Sequence, residues 1–270
     1  MESSNRSWVD IGVNLTDSSF DKDRNDVIER AFAQGVNTLI ITGTSLNESQ
    51  KAIELCQQYS GRLYCTVGVH PHYAKDHSDS DYQSIPALCK EECVVACGET
   101  GLDFNRNFSE PTQQITAFEK QLEIAHETNL PLFLHERDAH KKQIEMLRSH
   151  RDDITAAVAH CFTGSKTELY NYLDLDLHIG ITGWICDERR GQELQQLVKE
   201  IPDNRLLLET DAPYLIPRDI RPKPKSRRNL PEYLPHIAEK VASLRGQSLD
   251  SLQQMVKDNS IKFFNLPAIA

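Results

Sequence analysis

The chain of 270 residues reads as an α/β protein, a (β/α)8 TIM barrel, on three observations. Short apolar or β-branched runs alternate with amphipathic helical patterns from end to end, which is the signature of βαβ units and a parallel sheet. The runs number eight, and eight right-handed crossovers close naturally into a barrel. No G-x-G-x-x-G follows the first run, so the doubly wound open sheet is the weaker alternative. No linker, low-complexity stretch or internal repeat divides the sequence, and one domain over 1–270 is expected.

In chain order the expected strands are Trp8–Val13, Thr38–Thr42, Leu63–Val69, Val94–Glu99, Leu130–His135, Ala156–His160, Leu177–Thr182 and Leu206–Asp211. Each is rich in Val, Ile, Leu or Ala, as a strand covered on both faces must be. Helical patterns lie between them, among them Asp21–Gln34, Leu46–Tyr59, Pro111–Thr128, Arg189–Lys199 and Leu234–Leu244. Gly35 reads as the stop after the first helix. Asn129-Leu130-Pro131 marks the entry to the fifth strand, and the helices after Pro231 complete the outer ring.

Composition narrows the function classes. Hydrophobic residues make up 39% and charged residues 26%, which suits a soluble globular enzyme rather than a disordered chain. Lys plus Arg number 30 against 40 Asp plus Glu, a formal charge of −10. That balance argues against bulk electrostatic binding of nucleic acid, so any such contact must come from a local basic patch. No apolar run approaches the roughly 18 residues of a membrane span. Met1 to Arg6 is polar and lacks a signal-peptide core, and a cytoplasmic protein is expected. The seven Cys contain no C-x-x-C pair. Cys89, Cys93 and Cys97 have helical spacing, but the strand-like run ending at Cys97 overlaps them. Reduced thiols are expected rather than a metal cluster.

The ends of the strands are unusual. The third leads into Gly68-Val69-His70-Pro71-His72, the fourth into Glu99-Thr100-Gly101-Leu102-Asp103, and the fifth into His135-Glu136-Arg137-Asp138. The sixth ends at His160 and the eighth in Glu209-Thr210-Asp211. In a barrel that rim is where active sites form. Side-chain alternation puts 95, 97 and 99 on one face, as it does 131, 133 and 135, then 156, 158 and 160, then 207, 209 and 211. Glu99, His135, His160 and Asp211 would then share one mouth, a donor set for a divalent metal. A lone strand-end His or Asp is ordinarily a capping or surface residue; four at matched positions are harder to explain that way. His70 and His72 could orient a phosphate or protonate a leaving oxygen, or merely shape a loop. Arg137 could clamp an anionic oxygen or pair with Glu136 or Asp138. Glu209 reads as an orienter of a ligand histidine or as a buried partner of a basic residue.

Pro217 to Arg228 concentrates Arg218, Arg221, Lys223, Lys225, Arg227 and Arg228 against Asp219 alone. Pro222 and Pro224 keep the segment extended. A cationic loop beside a metal site in an acidic protein suggests a polyanionic substrate. Trp184 and Tyr214 could stack bases or anchor loops.

At these motifs the chain resembles the TatD family of metal-dependent deoxyribonucleases over essentially its whole length, most of all the family's bacterial members. The matching stretches include Gly68–His72, Gly98–Asp103, His135–Ala139, His160–Gly164, Glu209–Tyr214 and Arg227–Asn229, with Asp103–Phe108 and Gly183–Gly191 adding specificity. The resemblance implies an amidohydrolase-type barrel and a cytoplasmic, Mg2+-dependent 3′-5′ exonuclease on single-stranded DNA and RNA, linked to repair of oxidative DNA damage. Mn2+ or Zn2+ would also suit two imidazoles. It further implies Glu99, His135 and His160 as metal ligands and Asp211 as a catalytic carboxylate near the metal. In such a hydrolysis Arg137 and Arg228 would neutralise charge in the transition state. A monomer without membrane partners is expected. Two departures stand out. The family's first-strand Asp-x-His-x-His is Asp10-Ile11-Gly12-Val13-Asn14 here, and its Arg-Asn-Glu-Pro is Arg228-Asn229-Leu230-Pro231. The runner-up reading is a small-molecule amidohydrolase or lactonase on the same barrel. A third is a non-catalytic nucleic-acid-binding or scaffold protein.

Overall fold

The structure, a computed structural model, describes residues 6–268. Met1–Asn5, on which most of the leader reading rests, lie outside the described residues. Strands and helices follow one another as β1 (Trp8–Val13), α1 (Arg24–Ala33), β2 (Val36–Ile41), α2 (Leu46–Gln58), β3 (Leu63–Val67), α3 (Asp79–Leu88), β4 (Val94–Asp103), α4 (Pro111–Thr128) and β5 (Leu132–Arg137). They continue with α5 (His140–Ser149), β6 (Ala157–Ala159), α6 (Lys166–Asp174), β7 (His178–Ile181), α7 (Gln192–Leu197), β8 (Leu206–Leu208), α8 (Leu234–Arg245) and α9 (Leu249–Phe263). One eight-stranded sheet takes the strands in chain order, β1 to β8. The expected α/β fold with eight strands separated by helices is therefore found.

Contacts gather in two compact units. Among the described residues one comprises 6–40, Cys161–Ser165 and 179–268. Within it β7 pairs in parallel with β8. The first and last strands also meet there: Asp211 N–H donates to Gly12 O at 2.8 Å and Asn14 N–H to Ala212 O at 2.7 Å. The other unit comprises Ile41–His160 and Lys166–His178, with β3, β4, β5 and β6 paired in parallel.

Local chemistry explains the boundaries. Ser45 caps α2 by accepting from Glu48 N–H at 3.2 Å. Pro111 opens α4 and left-handed Asn129 (φ 55°) closes it. Gly35 (φ 81°) follows α1 as expected, donating to Phe32 O at 2.9 Å. Helix α3 forms in a polar run that holds Pro86, and Ser78 with Asp81 starts it through a capping box. Strands β3, β6 and β8 stop short of the expected ends, at Val67, Ala159 and Leu208. Consequently His70, His160 and Asp211 sit on the loops just beyond the strands.

Candidate metal centre

The second unit brings four of the expected residues together. Oxygen Oε1 of Glu99 lies 2.8 Å from His135 Nδ1, 2.8 Å from His160 Nε2 and 3.4 Å from His70 Nε2. Glu99 reaches this point by a different route from the one alternation suggested. Cys97 faces the helix layer, its thiol 3.6 Å from Gln121 O on α4. Strict alternation would send Glu99 the same way. Instead the register to β5 slips between Gly98 and Thr100, leaving Glu99 as the extra residue of a bulge and re-aiming its side chain. Its N–H donates to Gly43 O at 2.7 Å. Gly68 lets β3 and β4 approach here, since a Cβ on it would lie 2.5 Å from the Gly98 carbonyl carbon.

Electrostatics follow from burial and partners. Burial alone would raise the Glu99 pKa, but the rings of His160, His70 and His135 outweigh it and hold the carboxyl well below its ordinary range. His135 faces carboxylates through both nitrogens, Glu99 at 2.8 Å and Asp103 Oδ2 at 3.3 Å. Burial disfavours its charged form, yet those two partners raise its pKa to about 9. A pair of carboxylates calling for positive charge between imidazole donors is chemistry a divalent cation satisfies in place of a proton. Oxygen and nitrogen donors of His70, Glu99 and His135 all lie within 4.8 Å of one another, so these residues fit a metal ion. His70 behaves differently: burial pushes it down to about 3 despite Glu99. Its Nδ1 accepts the His72 N–H at 3.1 Å, which leaves the proton on Nε2.

His72 is half-buried and donates Nε2–H to Asp103 Oδ2 at 2.7 Å. The exposed ring of Phe108 sits edge-on to it, 4.8 Å between centroids, with the Arg106 guanidinium 5.9 Å from the Phe108 centroid. Sequence reasoning quoted Asp103 and Phe108 in a motif without giving either a role. Their signal was position, four and nine residues past Glu99, at the end of β4 and on the loop that follows it. Arg137 is exposed and makes no ion pair among the described residues; Asp138 instead accepts from Asn105, and Glu136 from Ala139 N–H.

The remaining expected residues lie in the first unit. Asp211 Oδ1 accepts from the Asn14 amide at 3.0 Å, so Asn14, which replaces a family histidine, acts as a donor to it. Glu209 is fully buried and accepts the Cys161 N–H at 2.5 Å, fixing the peptide that follows His160 in the chain. Asp10, also fully buried, accepts from Thr210 N–H at 2.8 Å and from its hydroxyl at 2.5 Å. Arg228 is committed to an internal pair: it bridges both Asp23 oxygens at 2.9 and 2.5 Å and covers the Phe20 ring. Arg218 pairs with Asp187 at 3.1 Å. Trp184 lies under the Arg190 guanidinium, 4.3 Å from its ring centre, as a loop anchor, whereas Tyr214 is exposed.

The chain is similar to several known proteins. The profile of the family described as TatD related DNase matches residues 9–265. A protein of Erwinia amylovora called 3′-5′ ssDNA/RNA exonuclease TatD is 52% identical over 95% of the chain and 99% of its own length. One of the same name from Salmonella typhimurium is 51% identical over 95% of the chain and 98% of its own length. Among solved structures, a TatD family hydrolase from Entamoeba histolytica superposes with a TM-score of 0.88 at 28% identity, covering 97% of this chain and 99% of that one. A TatD homologue from Escherichia coli gives 0.87 at 28% identity, covering 96% and 98%.

Proposed function

The chain belongs to the TatD-related DNase family, and from that premise we propose that it is a metal-dependent 3′-5′ exonuclease hydrolysing phosphodiester bonds of single-stranded DNA and RNA. The observation that carries the reading is the convergence of His70, His135 and His160 on one Glu99 oxygen. We take Mg2+ as the resident ion on the family's account. Three imidazoles would also accept Mn2+ or Zn2+. Held by these side chains, a divalent cation would supply Lewis-acid chemistry to the phosphodiester and make hydrolytic water more acidic.

The side chains do the rest. Glu99, His135 and His160 would hold the ion, and His70, kept neutral by burial, is suited to ligation or to orienting phosphate rather than to carrying a proton. Asp103 orients both His72 and His135. His72, more exposed than His70 and paired with a carboxylate, protonates the leaving oxygen. Arg137, unpaired among the described residues, neutralises developing phosphate charge. Phe108 offers a face for the terminal base. Asp211 takes the remaining carboxylate role on the strength of its motif, oriented by Asn14; Glu209 positions the peptide after His160. Arg228 supports its loop rather than binding phosphate directly.

We further take the protein to be a single catalytic domain and a cytoplasmic monomer. No described helix is long and apolar enough to cross a membrane. Single-stranded DNA and RNA labelled at the 3′ or the 5′ end, incubated with Mg2+, Mn2+, Zn2+ or chelator, test the reading. Mononucleotides released from the 3′ end only when a divalent ion is present are the expected result. Intact oligonucleotides alongside metal-dependent opening of a lactone or amide would overturn it in favour of a small-molecule hydrolase.

A further inference from the structure

Three cysteines far apart in sequence meet at the other end of the same strands. Cys56 lies near the end of α2, Cys65 in the middle of β3, and Cys93 immediately before β4. Their sulfurs all lie within 4.8 Å of one another. The Cys65 N–H donates to Cys93 O at 2.8 Å, which fixes two of the three through the backbone. Cys56 and Cys65 are buried, and Cys93 is half-buried. By contrast His70 lies on the loop beyond β3, and Glu99 and Asp103 lie six and ten residues past Cys93, so the thiols stand apart from the candidate metal centre.

We propose that Cys56, Cys65 and Cys93 form a binding site for one soft monovalent cation, Cu+. The donor set is three sulfurs, with no imidazole or carboxylate in the group. Thiolate sulfur selects Cu+ over the hard cations that a phosphodiesterase uses. Three sulfurs about 2.3 Å from a shared ion at the corners of a triangle stand about 4 Å apart, close to the spacing already present. Zn2+ would demand a fourth ligand to complete its tetrahedron.

The surroundings favour entry and retention. Cys93 gives the site its opening, and the exposed carboxylates of Glu91 and Glu92 precede it and draw cations toward it. Hydrogen bonds from Cys56 and Cys65 hold the Cys93 thiol below its ordinary range, so it is the first sulfur available as thiolate. Cu+ displaces the thiol protons to solvent, with no change in the oxidation state of copper or sulfur. Binding therefore tightens as pH rises. A filled site would tie α2, β3 and the turn before β4 together.

Anaerobic titration with Cu+ buffered by a colorimetric Cu+ chelator tests the assignment. The wild-type chain should withdraw one equivalent of Cu+, develop a near-ultraviolet sulfur-to-copper absorption and melt at a higher temperature. Cys93→Ser should withdraw none and show no shift, while Cys89→Ser, which removes a thiol outside the group, should behave as wild type. Oligonucleotide cleavage should stay within twofold of wild type in Cys93→Ser, which confirms an intact fold. Equal Cu+ uptake by wild type and Cys93→Ser, or none by either, overturns the site. Preferential filling by Zn2+, lost in Cys93→Ser, overturns the choice of ion.

Discussion

His72 donates its Nε2–H to Asp103 Oδ2 at 2.7 Å, while the other oxygen of Asp103 accepts the N–H groups of Asn105 and Arg106 at 3.0 and 2.9 Å. One carboxylate thus fixes a histidine and the loop that carries Phe108. The Asp103 pKa is depressed: burial opposes ionisation, but the hydrogen bonds of His135, His72 and Arg106 N–H outweigh it.

Replacing Asp103 by Asn keeps an acceptor but removes the charge that orients His72 and His135. We expect kcat/KM on single-stranded DNA to fall by about 10- to 100-fold, the usual effect of losing a carboxylate behind a ligand or acid–base histidine. The pH–rate profile should shift as well, because His135 loses one of the two carboxylates that raise its pKa. An unchanged profile with an equally reduced rate would reduce Asp103 to a purely structural part.

Salt dependence separates the cations of the basic loop. Arg218 and Arg228 already pair with Asp187 and Asp23. Arg221, Lys223, Lys225 and Arg227 are exposed and have no ion pair among the described residues. Each phosphate neutralised on a single strand contributes about 0.7 to the slope of log affinity against log salt. Changing those four to Ala should raise KM and flatten that slope by as much as about 3, with kcat nearly constant. Arg218→Ala should leave the slope almost unaltered.

How far the sequence announces this architecture depends on the range of the contacts involved. Eight strand patterns, the Gly35 stop and the histidines and acids at strand ends were readable because each is a local property of period or turn chemistry. Glu99 was assigned to the mouth through an alternation that the bulge between Gly98 and Thr100 breaks; inserting one residue leaves no mark in a hydrophobic pattern. Arg228 looked like a phosphate ligand because nothing near it in sequence hints at Asp23, 205 residues away. The cysteines make the same point: the regular spacing of Cys89, Cys93 and Cys97 is incidental, and Cys93 finds its sulfur neighbours on α2 and β3.

Asp10 should give the protein a distinctive pH dependence. Burial raises its carboxyl from 3.8 to about 8, against the lowering effect of the Thr210 hydrogen bonds. Between those values the folded chain holds one proton more than the unfolded chain. Stability from this group is therefore fully present below about 4, declines as pH rises and is gone above about 8, at a slope of at most about 1.4 kcal/mol per pH unit. Urea unfolding of wild type and Asp10→Asn across pH 5 to 9 checks it. The variant should lack the decline, and parallel curves would mean that Asp10 does not titrate in this window.

Gly68 offers the sharpest test of how closely the fold and the candidate centre are coupled. An added methyl would lie 2.5 Å from the Gly98 carbonyl carbon and 2.6 Å from its Cα, and backbone cannot rotate away as a flexible side chain can. The strands must part, which costs about 1–3 kcal/mol, as overpacking of tight interiors does. Gly98 adjoins Glu99, so the same displacement moves the oxygen on which three histidines converge. Gly68→Ala should therefore lower the melting temperature and, well below that temperature, weaken divalent-ion binding. A variant destabilised by this amount that binds metal as tightly as wild type would show that the approach of β3 to β4 serves packing alone.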